Sequence, residues 1–448
     1  MQIKTLALAV LCLPTIVCSQ EVERLEIPAS FNPVGSGARA MGMGGSFISI
    51  ADDATAASWN PAGLILLRKP EVALVLSSTN LKEDLTFSQA TEASGSNSVS
   101  NSDINYVALS APCSADTCGK NMVFSLNYQR LYDFSREWDF TLIRDESALL
   151  QLEQKYQVRQ QGSLYAIGAA VAVQMTDKLT LGLTLNSWRE LSGKNQWRSN
   201  QNIDGQGQLI GTDVTQTVRF SDEYEFEGSN FNLGLMWTAF QKMDQKLVVG
   251  LVYKSEFDAD ITQTSVEFEL QEFPNEDIVT TPTISNTSQN LTLTMPSSLG
   301  LGASFQWSDS FTTSLDIYRT NWSNFAFSDD NGSQFSPISG RNLNDVLIKD
   351  TTQIRIGMEY RILSQEAGNN YIIPLRAGLF RDPLVADDTS ENASGLSVGT
   401  GIAFETWVFD VAYQYRWASD IGGSYLTGLG FTQDINEHQL FGSAFYRF

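Results

Sequence analysis

The sequence predicts an all-β fold: an antiparallel transmembrane β-barrel of about fourteen strands, an even number as in most bacterial barrels. Three observations predict it. First, Leu179, Leu181, Leu183 and Leu185 alternate with Thr180, Gly182, Thr184 and Asn186, and such runs recur until the chain stops on an aromatic residue, Phe448. Successive side chains of a strand point to opposite faces, so each run has one apolar face and one polar or small face. Second, beyond the N-terminus no apolar stretch approaches the ~20 residues a membrane helix needs, and mean hydropathy is only -0.15. A barrel still crosses lipid at that value, because every second residue faces the lumen and each backbone group pairs with a neighbouring strand. Third, the acidic residues gather between the alternating runs, and no linker divides the 448 residues into soluble domains.

The first residues read as an export signal over 1–19. Lys4 precedes the apolar stretch Leu6 to Val17, with a cleavage site after Ser19. A short anchor and a lipoprotein modified at Cys18 are the alternatives; the stretch is short for the first, and Val17 suits the second poorly. Loss of Lys4 with the signal takes the net charge from -22 to -23, which argues against a nucleic-acid partner. Cys113 and Cys118 remain in the mature chain, flanking a tight turn, and a disulfide suits an oxidising compartment. His438 is the sole histidine. No imidazole-based metal site and no Ser/His or Cys/His arrangement can be built around it, so neither an enzyme nor a cofactor is expected.

Residues 20–68 are rich in Gly and Ala and lack alternation; the barrel is expected over 69–448. Its runs lie near Val72 to Leu76, Ile104 to Leu109, Met122 to Tyr128, Tyr165 to Met175, Leu179 to Trp188, Phe231 to Trp237 and Leu247 to Tyr253. They continue at Leu299 to Trp307, Leu315 to Ile317, Ile354 to Ile362, Ile373 to Leu379, Leu396 to Phe404, Phe409 to Trp417 and Leu440 to Phe448. Short turns such as Thr176 to Lys178, Gln241 to Lys246 and Ser308 to Ser310 alternate with long polar connections. These include Asn80 to Asp103, Asp139 to Gln161, Leu191 to Glu227 and Phe257 to Asn290. The pattern puts both termini on the short-turn, periplasmic side of a Gram-negative outer membrane.

Trp188, Trp237, Trp307, Tyr360 and Tyr446 sit near the ends of apolar faces, as interface girdles do. The opposite parity carries Arg355, Gly357, Glu359 and Arg361 on one strand and Asp410, Gln414 and Arg416 on another. Gly182, Gly234, Gly250, Gly300, Gly302 and Gly399 share that inward parity, which lets the wall bend or leaves room for an object inside. The acidic Asp387 and Asp388 read either as solvated loop charge or as cation ligands at the lipopolysaccharide surface. The last strand, ending Tyr446 and Phe448, resembles the C-terminal pattern read by barrel-insertion machinery.

The run from Gly35 to Leu64, GSGARAMGMGGSFISIADDATAASWNPAGL, resembles the N-terminal block of the FadL/TodX family of outer-membrane transporters for hydrophobic compounds, and Asn60, Pro61 and Ala62 match its NPA motif, followed by Gly63. The segments Met295 to Gly302, Asn321 to Phe325 and Pro374 to Asp382 resemble its strand regions. The resemblance implies a fourteen-stranded barrel whose residues 20–68 form a hatch in the lumen. It also implies passive uptake of long-chain fatty acids or other hydrophobic compounds, with lateral exit beside a kinked third strand. That strand would be Met122 to Phe134, where Arg130 interrupts the outward apolar series and marks either an irregularity or a snorkelling interface residue. Arg376 and Phe380, inward on one strand, are candidate ligand contacts. Asp52 and Asp53 are expected to pair with Arg355, Arg376 or Arg416, or to remain solvated. A branch of PorV-like proteins within the family implies the alternative, a scaffold or shuttle that binds secretion-system proteins. The apolar Leu142, Ile143, Leu149, Leu150, Leu152, Phe268 and Phe273 supply loop material for a greasy ligand.

Overall fold

A computed structural model describes residues 35–145, 150–276, 278–364, 371–387, 391–422 and 429–448. The predicted signal, Cys18, Leu149 and Asp388 lie outside them. Fourteen antiparallel strands close a barrel. They are β1 (Glu71–Phe87), β2 (Gly95–Cys113), β3 (Met122–Asp133, then Arg136–Asp145), β4 (Leu150–Thr176) and β5 (Leu179–Trp188, then Asn195–Leu209). Next come β6 (Thr212–Lys242), β7 (Gln245–Lys254, then Phe257–Phe273), β8 (Thr283–Met295, then Ser298–Gln306) and β9 (Phe311–Thr320, then Ala326–Asp329). The circuit ends with β10 (Thr351–Leu363), β11 (Ile372–Leu384), β12 (Glu391–Ala403), β13 (Trp407–Gly422) and β14 (Phe431–Arg447). β14 returns to β1 in unbroken register from Glu71↔Arg447 to Phe87↔Phe431. Phe448 N donates to Pro70 O at 3.1 Å, so both ends of the barrel meet at the short-turn side.

Burial is inverted relative to a water-soluble protein. Leu185, Leu233, Leu301, Ile356 and Leu379 are exposed on the outer face, while Thr184, Asp316, Arg355, Glu359 and Ser397 are buried within. An apolar belt over a charged interior is stable only if the solvent outside is hydrocarbon.

The long polar connections expected from the sequence are mostly strand. β1 runs on to Phe87, β2 begins at Gly95, and 195–227 and 257–273 stay in the ladder. Beyond the lipid the outward residues need not be apolar, so hydropathic alternation fades while backbone pairing continues. The outer continuations of β3, β5, β7, β8 and β9 are each set off from the membrane-spanning halves by a break. Cys113 and Cys118 form the expected disulfide at the β2–β3 turn, with Cα atoms 6.0 Å apart.

Candidate luminal site

Residues from Gly35 to Leu67 lie inside the barrel, almost wholly buried. The segment comprises α1 (Ala38–Gly42), α2 (Ala56–Trp59) and a 3-10 turn, Pro61–Leu66. Asn60 organises that turn. Its Oδ1 accepts from Ala62 N at 3.2 Å, Pro61 occupies the first helical position where no N–H is required, and Gly63 N donates to Asn60 O at 2.9 Å. The Asn60 Nδ2 donates to Ile48 O at 2.9 Å and to Leu235 O of β6 at 3.1 Å. One side chain therefore caps its own turn, braces a neighbouring loop and fastens both to the wall.

The wall receives the segment through small residues and polar tips. A Cβ at Gly182 would overlap the Pro61–Ala62 peptide, one at Gly234 would overlap Asn60 Oδ1, and one at Gly250 would sit 2.7 Å from Ile48 O. Asp316 of β9 accepts from Phe47 N at 2.6 Å and Ile48 N at 2.8 Å. Ser443 takes Ala38 N at 2.7 Å, and Arg355 donates to Gly44 O at 2.9 Å. Tyr106 donates to Ala54 O at 2.8 Å, and Thr184 to Ala57 O at 3.0 Å. These anchors come from β14, β10, β9, β5 and β2, so the segment is held around the circumference.

The ion pairs run opposite to expectation. Asp52 pairs with Arg39 inside the segment, and Asp53 accepts from Thr55 N at 2.9 Å. The wall arginines are taken by wall carboxylates: Arg355 by Asp382 at 3.5 Å, Arg376 by Glu359 at 2.7 Å and Asp410 at 2.6 Å, and Arg416 by Glu437. The cross-link from segment to wall is instead Arg39 to Glu359, at 3.0 Å. Burial pushes the Asp53 carboxyl up to about 7, against the pull of nearby Arg39.

Arg130 is not an outward, snorkelling residue. Alternation along β3 breaks where Leu131 bulges between Arg130↔Tyr165 and Tyr132↔Leu164. The bulge turns Arg130 inward, where it is 8% exposed and donates to Ser77 Oγ at 3.0 Å. Immediately above, the β2–β3 ladder ends at Tyr106↔Gln129. β2 continues beside β3 without backbone pairing, and Asn101 bridges the slit to Asp133 at 3.0 Å and Ser135 at 3.1 Å.

Two luminal cavities flank this bulge and share Leu131 and Tyr132. The first, behind the slit, has a mixed lining in which the charged Arg130, Asp133, Asp382 and Arg416 stand beside Phe380. Phe380 lies under the Arg355 guanidinium, 5.1 Å from its ring centroid. Arg376 lines neither cavity; it sits in the charge chain below. The second cavity has aromatic walls, Tyr132, Trp188, Phe257 and Trp322, and amide side chains. Among the described residues Lys254 is its one charged lining residue. Sequence reasoning missed Lys254, although its parity with Val248, Gly250 and Val252 placed it inward at the end of a run. Asp387 is no surface ligand either. It is 5% exposed and accepts from Ser336 Oγ at 2.8 Å, and the described residues contain no metal-ligating cluster.

A closed barrel with a lipid-facing belt and a segment fastened in its lumen defines a multi-pass outer-membrane protein. Residues 30–424 match the family described as outer membrane protein transport protein (OMPP1/FadL/TodX), and the chain belongs to that family, whose members are channels for hydrophobic compounds and not enzymes. Similar solved structures include the CymD monoaromatic hydrocarbon channel (17% identity, 94% of this chain and 99% of that one, TM-score 0.55). A Pseudomonas aeruginosa FadL homologue (11%, 92% and 98%, 0.58) and the Pseudomonas putida toluene transporter TodX (15%, 92% and 98%, 0.56) are comparably near. Among curated proteins none matches the sequence.

Proposed function

We propose that the protein carries long-chain fatty acids, or apolar compounds with a similar acidic head, passively across the outer membrane. The observation that carries this reading is the aromatic cavity with Lys254 as its one charged lining residue. A half-buried ammonium among aromatic and amide side chains suits a carboxylate headgroup whose chain rests on the rings. The segment 35–67 acts as the hatch, so a water-filled pore is not needed and a lipid-soluble cargo is not forced through one. Cargo leaves sideways through the β2–β3 slit, past Leu131 and Tyr132, into the membrane it prefers. Some relatives are named for toluene and monoaromatic hydrocarbons, which have no charge to offer a lysine.

The test is uptake of labelled oleate and labelled toluene in cells with and without the protein, with Lys254→Met and with Ser58–Leu64 deleted. Lys254→Met is expected to lower oleate uptake about tenfold, the factor that ~1.4 kcal/mol of a lost charged contact gives, and to leave toluene unchanged. Equal uptake of both compounds in every strain would remove the transport reading and favour the scaffold.

A further inference from the structure

Among the described residues the barrel wall is interrupted at the β2–β3 slit and, in the extracellular sheet, between β8 and β9, and these breaks are finished differently. At the β2–β3 slit the bare edge of β3 is covered by side chains. Asn97 Oδ1 accepts from Asp139 N at 2.9 Å and Glu92 Oε1 from Ile143 N at 3.3 Å. That edge also carries Glu137, Asp139 and Arg144, charges of the kind that keep a foreign strand away. The second break lies between β8 and β9. The outer half of β8 pairs with β7 continuously from Thr283↔Glu269 to Met295↔Phe257. β9 joins its other side only from Leu291 to Thr294.

Over 283–290 one edge of the strand is open. Among the described residues no side chain or turn bonds to its backbone. The sequence there, TISNTSQN, has no charge and no proline, its register with β7 contains no bulge, and every residue except Ser285 is exposed. None of the devices that blunt an edge strand is present.

We propose that residues 283–290 are a docking edge for an extended segment of another polypeptide, which joins the extracellular sheet as an added antiparallel strand. A row of alternating N–H and C=O groups at strand spacing is complemented in full only by another extended backbone; lipid and sugar hydroxyls do not repeat at that interval. A second copy is a poor occupant. Two barrels standing in one membrane carry this edge in the same direction, so a two-fold axis along the membrane normal brings the edges together parallel with their faces reversed. A segment of a different chain is free to run antiparallel, the stronger pairing. Side-chain preference follows from the outer face, where Ile284 is 64% and Val266 of β7 41% exposed, with Phe268 opposite Ile284. The guest strand should carry β-branched or aromatic residues at alternate positions. This site is independent of what the lumen carries.

The test is hydrogen–deuterium exchange on the full-length protein in lipid nanodiscs. The probes are an end-blocked peptide with the sequence of Thr262–Glu269, which already pairs with the other side of this strand, and an alternating Thr-Val octapeptide. In the free protein the amides of 283–290 that face away from β7 should exchange rapidly. Either peptide should slow them at least tenfold, its N-methylated counterpart should not, and Asn286→Lys with Ser288→Lys should abolish the protection without lowering the thermal midpoint. Four results would overturn the proposal: both amide sets already protected in the free monomer, exchange unchanged up to the peptides' solubility, protection appearing only with lipopolysaccharide, or Asn286→Cys disulfides linking two copies in cells.

Discussion

Arg39 Nε of the luminal segment lies 3.0 Å from Glu359 Oε2 of β10, and the same carboxylate oxygen takes Arg376 Nε at 2.7 Å. One buried acid thus joins the segment to the wall and continues through Arg376 to Asp410 at 2.6 Å. Glu359→Gln leaves two guanidinium groups sharing a neutral oxygen. A charge-assisted hydrogen bond is worth roughly 1.5–3 kcal/mol, so the variant should lose about that much stability. Limited proteolysis should release the segment faster while the barrel still resists heat in detergent; an unchanged cleavage rate would contradict the role assigned to this pair.

The glycines that face Asn60 and Pro61 give a second prediction. Gly182→Ala and Gly234→Ala each put a methyl group where the 3-10 turn lies, and overpacking of this kind costs about 1–3 kcal/mol. Since strand pairing is untouched, the damage should fall on docking. Single-channel recordings should show open events that are rare in the parent protein, and alanine at Gly442, which meets nothing within 4 Å, should not.

A third concerns pH. The Asp53 carboxyl is raised to about 7 in the folded protein by burial, above its ordinary value near 4. The folded state therefore holds a proton that the unfolded state releases between about pH 4 and 7. Docking is favoured most below that window, weakens as pH rises through it, and is flat above. The thermal midpoint should be higher at pH 5 than at pH 8, and Asp53→Asn, which keeps an oxygen for Thr55 N, should flatten the difference. A parent protein more stable at pH 8 would reverse the sign and sink the argument.

The slit offers a fourth. Asn101 Nδ2 is 3.1 Å from Ser135 Oγ across it, so Asn101→Cys with Ser135→Cys should cross-link under oxidation. If cargo leaves sideways, oleate uptake should fall on oxidation and recover on reduction, whereas the parent, whose cysteines among the described residues are the bonded Cys113 and Cys118, should respond to neither. Full uptake through a locked slit would rule out this exit.

By itself the sequence determined every membrane-spanning strand, because lipid imposes alternation on each: Leu179 to Trp188 and Phe409 to Trp417 are legible without a structure. It also determined the disulfide, the family through the block around Asn60, and the inward glycines. Only the tertiary structure decided what those glycines receive, since parity says which face a residue occupies and not what lies opposite. Local spacing likewise could not pair Arg39 with Glu359, which are 320 residues apart, or show that wall carboxylates had already claimed Arg355, Arg376 and Arg416. The extracellular strands were hidden because water, unlike lipid, sets no hydropathic pattern on their outer face. Arg130 was misplaced because the bulge at Arg130 and Leu131 leaves consecutive Gln129 and Arg130 both inward and reverses the alternation from there on, and a bulge is defined by the partner strand.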